Sequence, residues 1–504
     1  MEYSFQPFLD ALGTNWFEDD ALLKRLLEHH VGPGRYTEAA FARWGSRVAG
    51  PLRESAEVSA YIENRPRLQH YDGHGRRVDR IFLPDSTLAS LAEVAGHERL
   101  GAVHGEPFSF YAMTYLYGQN GEAGVMCSLG CTDGLVRVID AVGGGEAQRE
   151  AVQRIRNSTP ERVWHAAQFV TEMQGGSDVP ANVTRAIPDG ERWRLRGRKW
   201  FCSNVNADYF LVTARPEGAP EGSNGIGLFF VPAYLDDGEW QRNGYTVDRL
   251  KDKLGTCELA TAEVTFDGAV AYAVGPLEQG LPNLLRYVLS TSRLYCVQNA
   301  ASTLRQAERI TSAYTEFRTA FGRRLAEFAL VKAPLERIRR ARQRALACFF
   351  ELLRLWEDAA GSGADDTRAV DFRILLSLCK PVLTMASTRL TRDAMMLLGG
   401  NGIEERFSPL PRLFRDAVIM ETWEGPHDVL FTQAFRDLRR FDPDPEAFIA
   451  RVAGAHGQPL VDPLRHALRE PDTESSILQF RRLAPRIVDA FADRALDEAD
   501  AHPP

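Results

Sequence analysis

The sequence predicts an α+β protein: an N-terminal helical domain (residues 1–163), a middle β-domain (164–277), a C-terminal four-helix bundle (278–440), and a linker with a short helical tail (441–504). Three observations carry this expectation. Apolar residues recur at spacings of three and four before Ile155 and again after Gly280, as amphipathic helices require. Between Trp164 and Pro276 the pattern changes to short aromatic and β-branched runs separated by Gly, Asn, Pro and Asp. After Gly280 the helical pieces become long enough to pack side by side as a bundle.

In chain order, ALLKRLLEHH, TEAAFARWGSRV, LASLAEVA and GEAQREAVQRIRN read as N-terminal helices. WRLRGRKWF, DYFLVTA, IGLFFVP and TAEVTF read as strands. The bundle is expected from the helical runs 281–317, 330–360 and 367–398, with a partly helical AVIMETWEGPHDVLFTQAFRDLRR as the fourth member. Between the second and third runs, GSGADD (361–366) predicts a turn ending in a helix cap. FDPDPEAF, from Phe441, predicts a linker.

The composition, 44% hydrophobic and 10% aromatic over 504 residues, is that of a globular protein. A formal charge of -8 and a pI near 5.9 disfavour a polyanion as the main partner. No apolar run has the length of a membrane span, since even LACFFELLRLW is broken by Glu351 and Arg354. The acidic N-terminus predicts no export signal, and the seven scattered cysteines predict reduced thiols and a cytoplasmic location. Cys127 and Cys131 stand one helical turn apart; without a partner His pair they read as packing residues, and no metal is expected.

The most informative stretch is FVTEMQGGSDV, Phe169–Val179. Gly175 and Gly176 allow a sharp turn and a close approach to a flat ring or phosphate, while Thr171 and Ser177 offer hydroxyls to polar edges. Such a segment is equally a turn between strands. Three more stretches follow it: RKWFCSNVNADYFLVTA (198–214), FRTAFGRRL (317–325) and LLGGNGIEERFSPLPRLFRDAVIMETWEGPHDVL (397–430). The aromatic residues of the first are either core or the wall of a cofactor site. Arg318 in the second presents a planar, permanently charged fork that suits a diphosphate. Glu424 in the third is either a solvated cap or a base.

Taken together these stretches resemble the acyl-CoA dehydrogenase family. The wording of Gln174-Gly175-Gly176, Trp200-Phe201 and Trp423-Glu424-Gly425 is similar to the branch containing the alkylation-response protein AidB. The resemblance implies an FAD-dependent enzyme of fatty acid metabolism that oxidises an acyl-CoA to its trans-2-enoyl product and passes electrons to electron-transfer flavoprotein or a similar acceptor. It places Val170, Thr171, Gly176, Ser177, Phe201, Cys202 and Ser203 at the flavin, with Trp200 as the alternative aromatic one position earlier. Arg318, Phe321, Gly399, Gly400, Trp423 and Gly425 are implied as further cofactor contacts, several of them reaching a flavin held by a neighbouring subunit, so a homodimer or homotetramer is expected.

Ser177 and Arg293 are the implied substrate contacts, and Glu424 the base that removes the α-proton of the acyl thioester. A glutamate of ordinary pKa about 4.3 is a weak base in water, but desolvation raises it, and hydrogen bonds to the thioester carbonyl acidify the α-carbon. The chain departs from the family pattern at Phe169, Ala329, Met396 and Pro426-His427.

Three other readings remain: a DNA-protective protein, an acyl-binding protein with little turnover, and an oxidase or monooxygenase on the same fold. DNA binding in the AidB branch is associated with a basic C-terminal domain. Here residues 435–504 hold ten Arg, no Lys and thirteen Asp plus Glu, a net of -3, which makes DNA an unexpected partner.

Overall fold

The computed structural model describes residues 3–32, 36–100, 107–235, 241–360, 363, 366–442, 444–470 and 473–501. Helical N-terminal and C-terminal domains flank a middle β-domain. By contacts the chain divides into two compact units: Met1–Glu54, Glu106–Gly121 and Arg293–Pro504 form one, and Ser55–Gly105 with Glu122–Ser292 form the other.

The second unit is built on a seven-stranded sheet. Its order is Tyr245–Leu250, Thr261–Ala273, Arg192–Ser203, Arg185–Asp189, Tyr209–Pro216 and Ala166–Phe169. Gly227–Pro232 pairs with both Tyr209–Pro216 and the far end of Thr261–Ala273, so part of the sheet closes on itself. Ala166–Phe169 runs parallel to Tyr209–Pro216, in register Ala166 to Tyr209.

Inside lies a core that includes Phe169, Leu195, Phe210, Phe229, Val264 and Phe266. The outer face is covered by the helices Ala123–Val142 and Glu146–Arg156, which contribute Leu135, Ile139, Val152 and Ile155 against Leu211, Leu228 and Phe230. With both faces covered, every residue of Tyr209–Pro216 is buried, and its first half, Tyr209 to Val212, is an unbroken apolar run.

Among the elements unread in the sequence is an antiparallel hairpin of Arg67–Tyr71 with Arg77–Phe82, inside the region expected to be helical. Its signal was Asp72-Gly73 and Gly75 in the connecting turn, where Asp72 accepts from the amides of His74 and Arg76 and Gly75 has φ +77°.

The first unit is helical apart from one short hairpin. Ser290–Phe317, Ala329–Asp358 and Thr367–Leu397 are the three long helices expected, followed by Leu410–Thr422 and His427–Phe441. Of the expected 361–366 turn, only Gly363 and Asp366 lie within the described residues, and Asp366 caps the following helix through the Arg368 amide. Pro443 of the predicted linker is also outside them.

Beyond it, Glu474–Asp500 is a 27-residue helix with Phe480, Ile487, Val488 and Phe491 buried, more extensive than the sequence suggests. Asp20 joins four helices. It caps Ala21–Val31 through the Leu23 amide at 3.0 Å, accepts from Tyr115 at 2.9 Å, and pairs with Arg305 at 3.3 Å and with Arg342. Burial alone would raise its carboxyl, but Arg342 and Arg305 hold it well below the ordinary carboxylate range.

All seven cysteines are free thiols, and Cys127 Sγ lies 3.8 Å from Cys131 Sγ on one helix. Among the described residues no helix is long and apolar enough to cross a membrane.

Candidate functional site

In the β-domain the glycine turn follows directly from the strand Ala166–Phe169. Glu172 and Gly175 exchange backbone hydrogen bonds at 3.2 Å, which folds Met173 and Gln174 into a tight turn. Thr171 is tied to the strand Arg192–Ser203 by Trp200 N donating to its carbonyl at 2.9 Å. A Cβ on Gly176 would stand 2.9 Å from Thr171 Oγ1 and 3.2 Å from its Cγ2, so the close approach that requires this glycine is to Thr171 itself. Gly176 and Ser177 are exposed; Val170 and Thr171 are half-buried.

Beneath the turn is a buried polar cluster that sequence reasoning missed. The Glu172 carboxylate accepts from Lys199 Nζ at 2.7 Å, from the Val183 and Thr184 amides at 2.7 and 3.1 Å, and from Gln174. Lys199 Nζ donates further to Val170 O at 3.2 Å and Thr213 Oγ1 at 3.1 Å. Burial alone would raise Glu172, but Lys199 outweighs it and holds the carboxyl at about 2, while burial pushes Lys199 down to about 8 against the pull of Glu172. The available signal was Lys199 at an inward position of an otherwise alternating strand, whose neighbours Arg198 and Trp200 are more exposed.

The alternation that buries Leu195 and Lys199 breaks at a register irregularity before Cys202, opposite Ala262–Val264, and this divides the aromatic trio. Phe201 is 51% exposed and Ser203 half-buried on one face, where Ser203 Oγ is 3.1 Å from Thr261 Oγ1. Cys202 points the other way into the β-core with no exposure, and burial pushes its thiol well up. Its side chain is therefore withheld from any ligand on the Phe201 face. Lys251 Nζ sits 3.3 Å from the Trp200 ring centroid and 4.8 Å from that of Phe201.

In the helical unit the predicted residues fall into two groups. The first surrounds the end of the Ser290–Phe317 helix. Thr319–Ala320 pairs with Arg323–Arg324 across a turn in which Phe321 and Gly322 both have positive φ, +53° and +82°. Phe321 is 95% exposed in that left-handed conformation, which costs a non-glycine residue roughly 1–2 kcal/mol. Arg318 donates to the Tyr3 hydroxyl at 2.7 Å and has no carboxylate partner among the described residues. The turn Gly399–Ile403 is linked to the same helix end by Asn401 Nδ2 donating to Tyr314 OH at 3.0 Å. Gly399 and Gly400 are exposed and face open space, whereas a Cβ on Gly402 would strike Met395 O.

The second group centres on Glu424, just past the helix Leu410–Thr422. Glu424 is half-buried with φ +58°, and Gly425 follows at +110°. Arg293 Nε donates to Glu424 O at 3.0 Å, and Lys380 Nζ donates to both Glu421 O and Gly425 O at 2.9 Å. Arg293, expected as a substrate contact, thus holds the backbone of the Glu424 turn. Burial lowers the Arg293 and Lys380 cations from their ordinary values, with Glu424 among the groups that oppose it. Trp423 is half-buried beside them, its amide closing the helix on Ile419 O at 3.1 Å.

Family profiles match three consecutive segments: the adaptive response protein AidB N-terminal domain over residues 9–159, the acyl-CoA dehydrogenase middle domain over 167–269, and the acyl-CoA dehydrogenase C-terminal domain over 278–438. The chain is 30% identical to the putative acyl-CoA dehydrogenase AidB of Escherichia coli over 447 residues, 84% of this chain and 79% of that one. The chain belongs to the acyl-CoA dehydrogenase family.

It is also 29% identical to acyl-CoA dehydrogenase family member 11 of Caenorhabditis elegans over 497 residues, 94% of this chain and 79% of the relative. Among solved structures, Bd2924 in its apo-form superposes with a TM-score of 0.89 at 27% identity, covering 97% of this chain and 98% of that one. C. elegans ACDH-11 in complex with C11-CoA superposes at 0.83 and 25% identity, covering 96% and 87%.

Members of the acyl-CoA dehydrogenase family are FAD flavoproteins. The residues present here fit that group. A guanidinium without a carboxylate partner at Arg318 suits a pyrophosphate, and open glycines at 399 and 400 admit a close ligand. An aromatic ring stands half out of the β-domain at Phe201, next to a turn with exposed polar groups at Ser177.

Proposed function

We propose that the protein is an FAD-dependent acyl-CoA dehydrogenase that converts an acyl thioester to its trans-2-enoyl product, with Glu424 as the base. The observation that carries this reading is the Glu424 turn. A glutamate stands in a left-handed conformation at the end of a helix, with its carbonyl bonded to Arg293 and the flanking carbonyls bonded to Lys380. Backbone strain of this kind persists where the surroundings over-determine it, and it gathers at functional sites.

In this mechanism the half-buried Glu424 carboxylate takes the α-proton, and exclusion of water by the bound thioester would strengthen it as a base. Bound FAD supplies the acceptor for the β-hydrogen and its electron pair. Val170, Thr171, Gly176, Ser177, Phe201 and Ser203 of the β-domain would hold it, and Arg318, Phe321, Gly399, Gly400, Trp423 and Gly425 would serve as further contacts, several of them to the flavin of a neighbouring subunit. The electrons leave to an external acceptor such as electron-transfer flavoprotein. That a relative was solved with C11-CoA supports an acyl-CoA as the substrate class.

Homodimerisation or tetramerisation belongs to the same reading, and it is supported by Phe321, Leu330 and Ile403, which are 95%, 91% and 64% exposed on the helical unit. The experiment that tests the function is anaerobic bleaching of the flavin by a panel of acyl-CoAs. Bleaching by at least one of them, with release of the enoyl product, is expected. A flavin that every acyl-CoA leaves oxidised contradicts the reading.

A further inference from the structure

Lys380 has no assigned part in the proposed reaction, yet it is placed behind the Glu424 turn. It lies on the Thr367–Leu397 helix with a side chain of 0% exposure and has no carboxylate partner among the described residues. A buried ammonium surrenders its hydration, and a neutral donor would satisfy a carbonyl at lower cost. This ammonium is spent on the two carbonyls that bracket Glu424. It donates to Glu421 O, in the last turn of the Leu410–Thr422 helix, and to Gly425 O, directly after the base, both at 2.9 Å. The last carbonyls of a helix lack intrahelical donors and carry the negative end of its dipole, so a cation there fixes the orientation of those peptides. Arg293 holds the intervening Glu424 carbonyl from the Ser290–Phe317 helix at 3.0 Å. Cations from two helices thus pin three carbonyls across a stretch whose φ values are +58° and +110°.

We propose that Lys380 is a positioning residue for Glu424. It fixes the turn that aims the carboxylate, and its charge keeps that carboxylate ionised at lower pH than burial alone would permit. The inference rests on Glu424 being the base. The other charged or titratable groups around the turn are Arg293 and Cys296 on the Ser290–Phe317 helix, Glu421 on the preceding helix, and His427 and Asp437 on the following one. Asp428 and Arg481 act on His427, whose Nε2 is 3.5 Å from Glu421 Oε2. Each remains in place when Lys380 alone is changed.

The test uses the FAD-loaded protein and four variants: Lys380→Met, Lys380→Gln, Lys380→Arg and Glu424→Gln. The readouts are flavin content, hydrogen exchange of the peptide spanning residues 421–426, and the pH profile of single-turnover flavin reduction by an active acyl-CoA. Lys380→Met and Lys380→Gln should retain flavin but exchange faster at the turn. Reduction should slow about 10- to 100-fold, and its midpoint should move up by about one pH unit, the size expected for losing a nearby opposite charge. Lys380→Arg keeps the charge and should keep the parent midpoint even if its rate falls.

A parent midpoint and parent exchange in the Met or Gln variant overturn the proposal. If neither of these folds, a midpoint shifted upward in Lys380→Arg overturns it. A fast-reducing Glu424→Gln would remove the base assignment itself. An inactive Glu424→Gln beside an unperturbed Lys380→Met removes only the role of Lys380.

Discussion

The Lys199 ammonium lies 2.7 Å from the Glu172 carboxylate, with both side chains almost wholly inaccessible, directly under the turn that carries Gly176 and Ser177. Two backbone amides complete the shell of Glu172. The glycine turn therefore rests on a buried ion pair, and its integrity depends on pH.

Removing Lys199 leaves a buried carboxylate without its counter-charge. Lys199→Met should cost about 3–5 kcal/mol, the usual penalty for breaking a buried pair. In the parent, Glu172 titrates at about 2 when folded, below its ordinary 4.5. The unfolded state accordingly binds the proton first, and the contribution of Glu172 is complete above pH 4.5 and lost as pH falls towards 2. The variant raises the folded value, so acid unfolding followed by circular dichroism should move to higher pH. An unchanged acid midpoint would show that the pair is not what holds Glu172 ionised.

Gly176→Leu is expected to lower flavin occupancy while leaving the fold intact. A Cβ at this position enters the space of Thr171, 2.9 Å from its hydroxyl, and Thr171, being β-branched, has few rotamers to retreat into. Absorbance near the flavin bands per mole of protein measures it; full occupancy in the variant speaks against this turn as a flavin contact.

The parent protein should be an oligomer in sizing chromatography coupled to light scattering, and Arg318→Ala should weaken FAD retention on dilution. Arg318 lies at the tip of its helix, bonded to the Tyr3 hydroxyl and without a carboxylate partner among the described residues. A stable monomer with full flavin content contradicts a shared site.

No tight duplex DNA binding is expected at physiological salt. Of the seven arginines in residues 441–504, four are engaged with acids of the same unit: Arg451 with Asp371, Arg465 with Asp462, Arg481 with Asp428, and Arg494 with Glu351 and Glu498. The net charge of -3 over residues 435–504 further opposes a polyanion. Sub-micromolar, steeply salt-dependent binding in a shift assay would overturn this expectation.

How far the sequence spoke for itself differs from element to element. The long helices were legible because a 3.6 period sustained over many turns has few alternatives, and the strands because Trp193, Phe210, Phe229 and Phe266 recur in short runs between turn residues. The Arg67–Phe82 hairpin was not, since only Leu68 and Ile81 of its strands pack against the β-core, and His70 with the buried Asp79 interrupts the apolar pattern. The length of Glu474–Asp500 was masked by Pro485, which sits inside the helix.

Glu424, Arg318 and the glycine turns stood out through their motifs. Adjacency groups Cys202 with Phe201 and Ser203, but the register irregularity between Lys199 and Cys202 turns the Cys202 side chain into the core, and a bulge of this kind leaves no sequence period. Lys199, Glu172 and Lys380 could not be found as a site, because the partners of each lie on other elements and a single buried charge has no sequence period.

The most direct test of the account is Glu424→Gln. The substitution keeps volume and hydrogen bonding but removes the proposed proton acceptor. FAD should remain bound, while anaerobic flavin reduction by an acyl-CoA that bleaches the parent should fall by about a hundred- to ten-thousandfold or more. Glu424→Asp should retain part of the rate, since a shortened arm misplaces the carboxylate without abolishing it. If Glu424→Gln reduces its flavin as fast as the parent with every reactive acyl-CoA, Glu424 is not the base and the proposed mechanism is wrong.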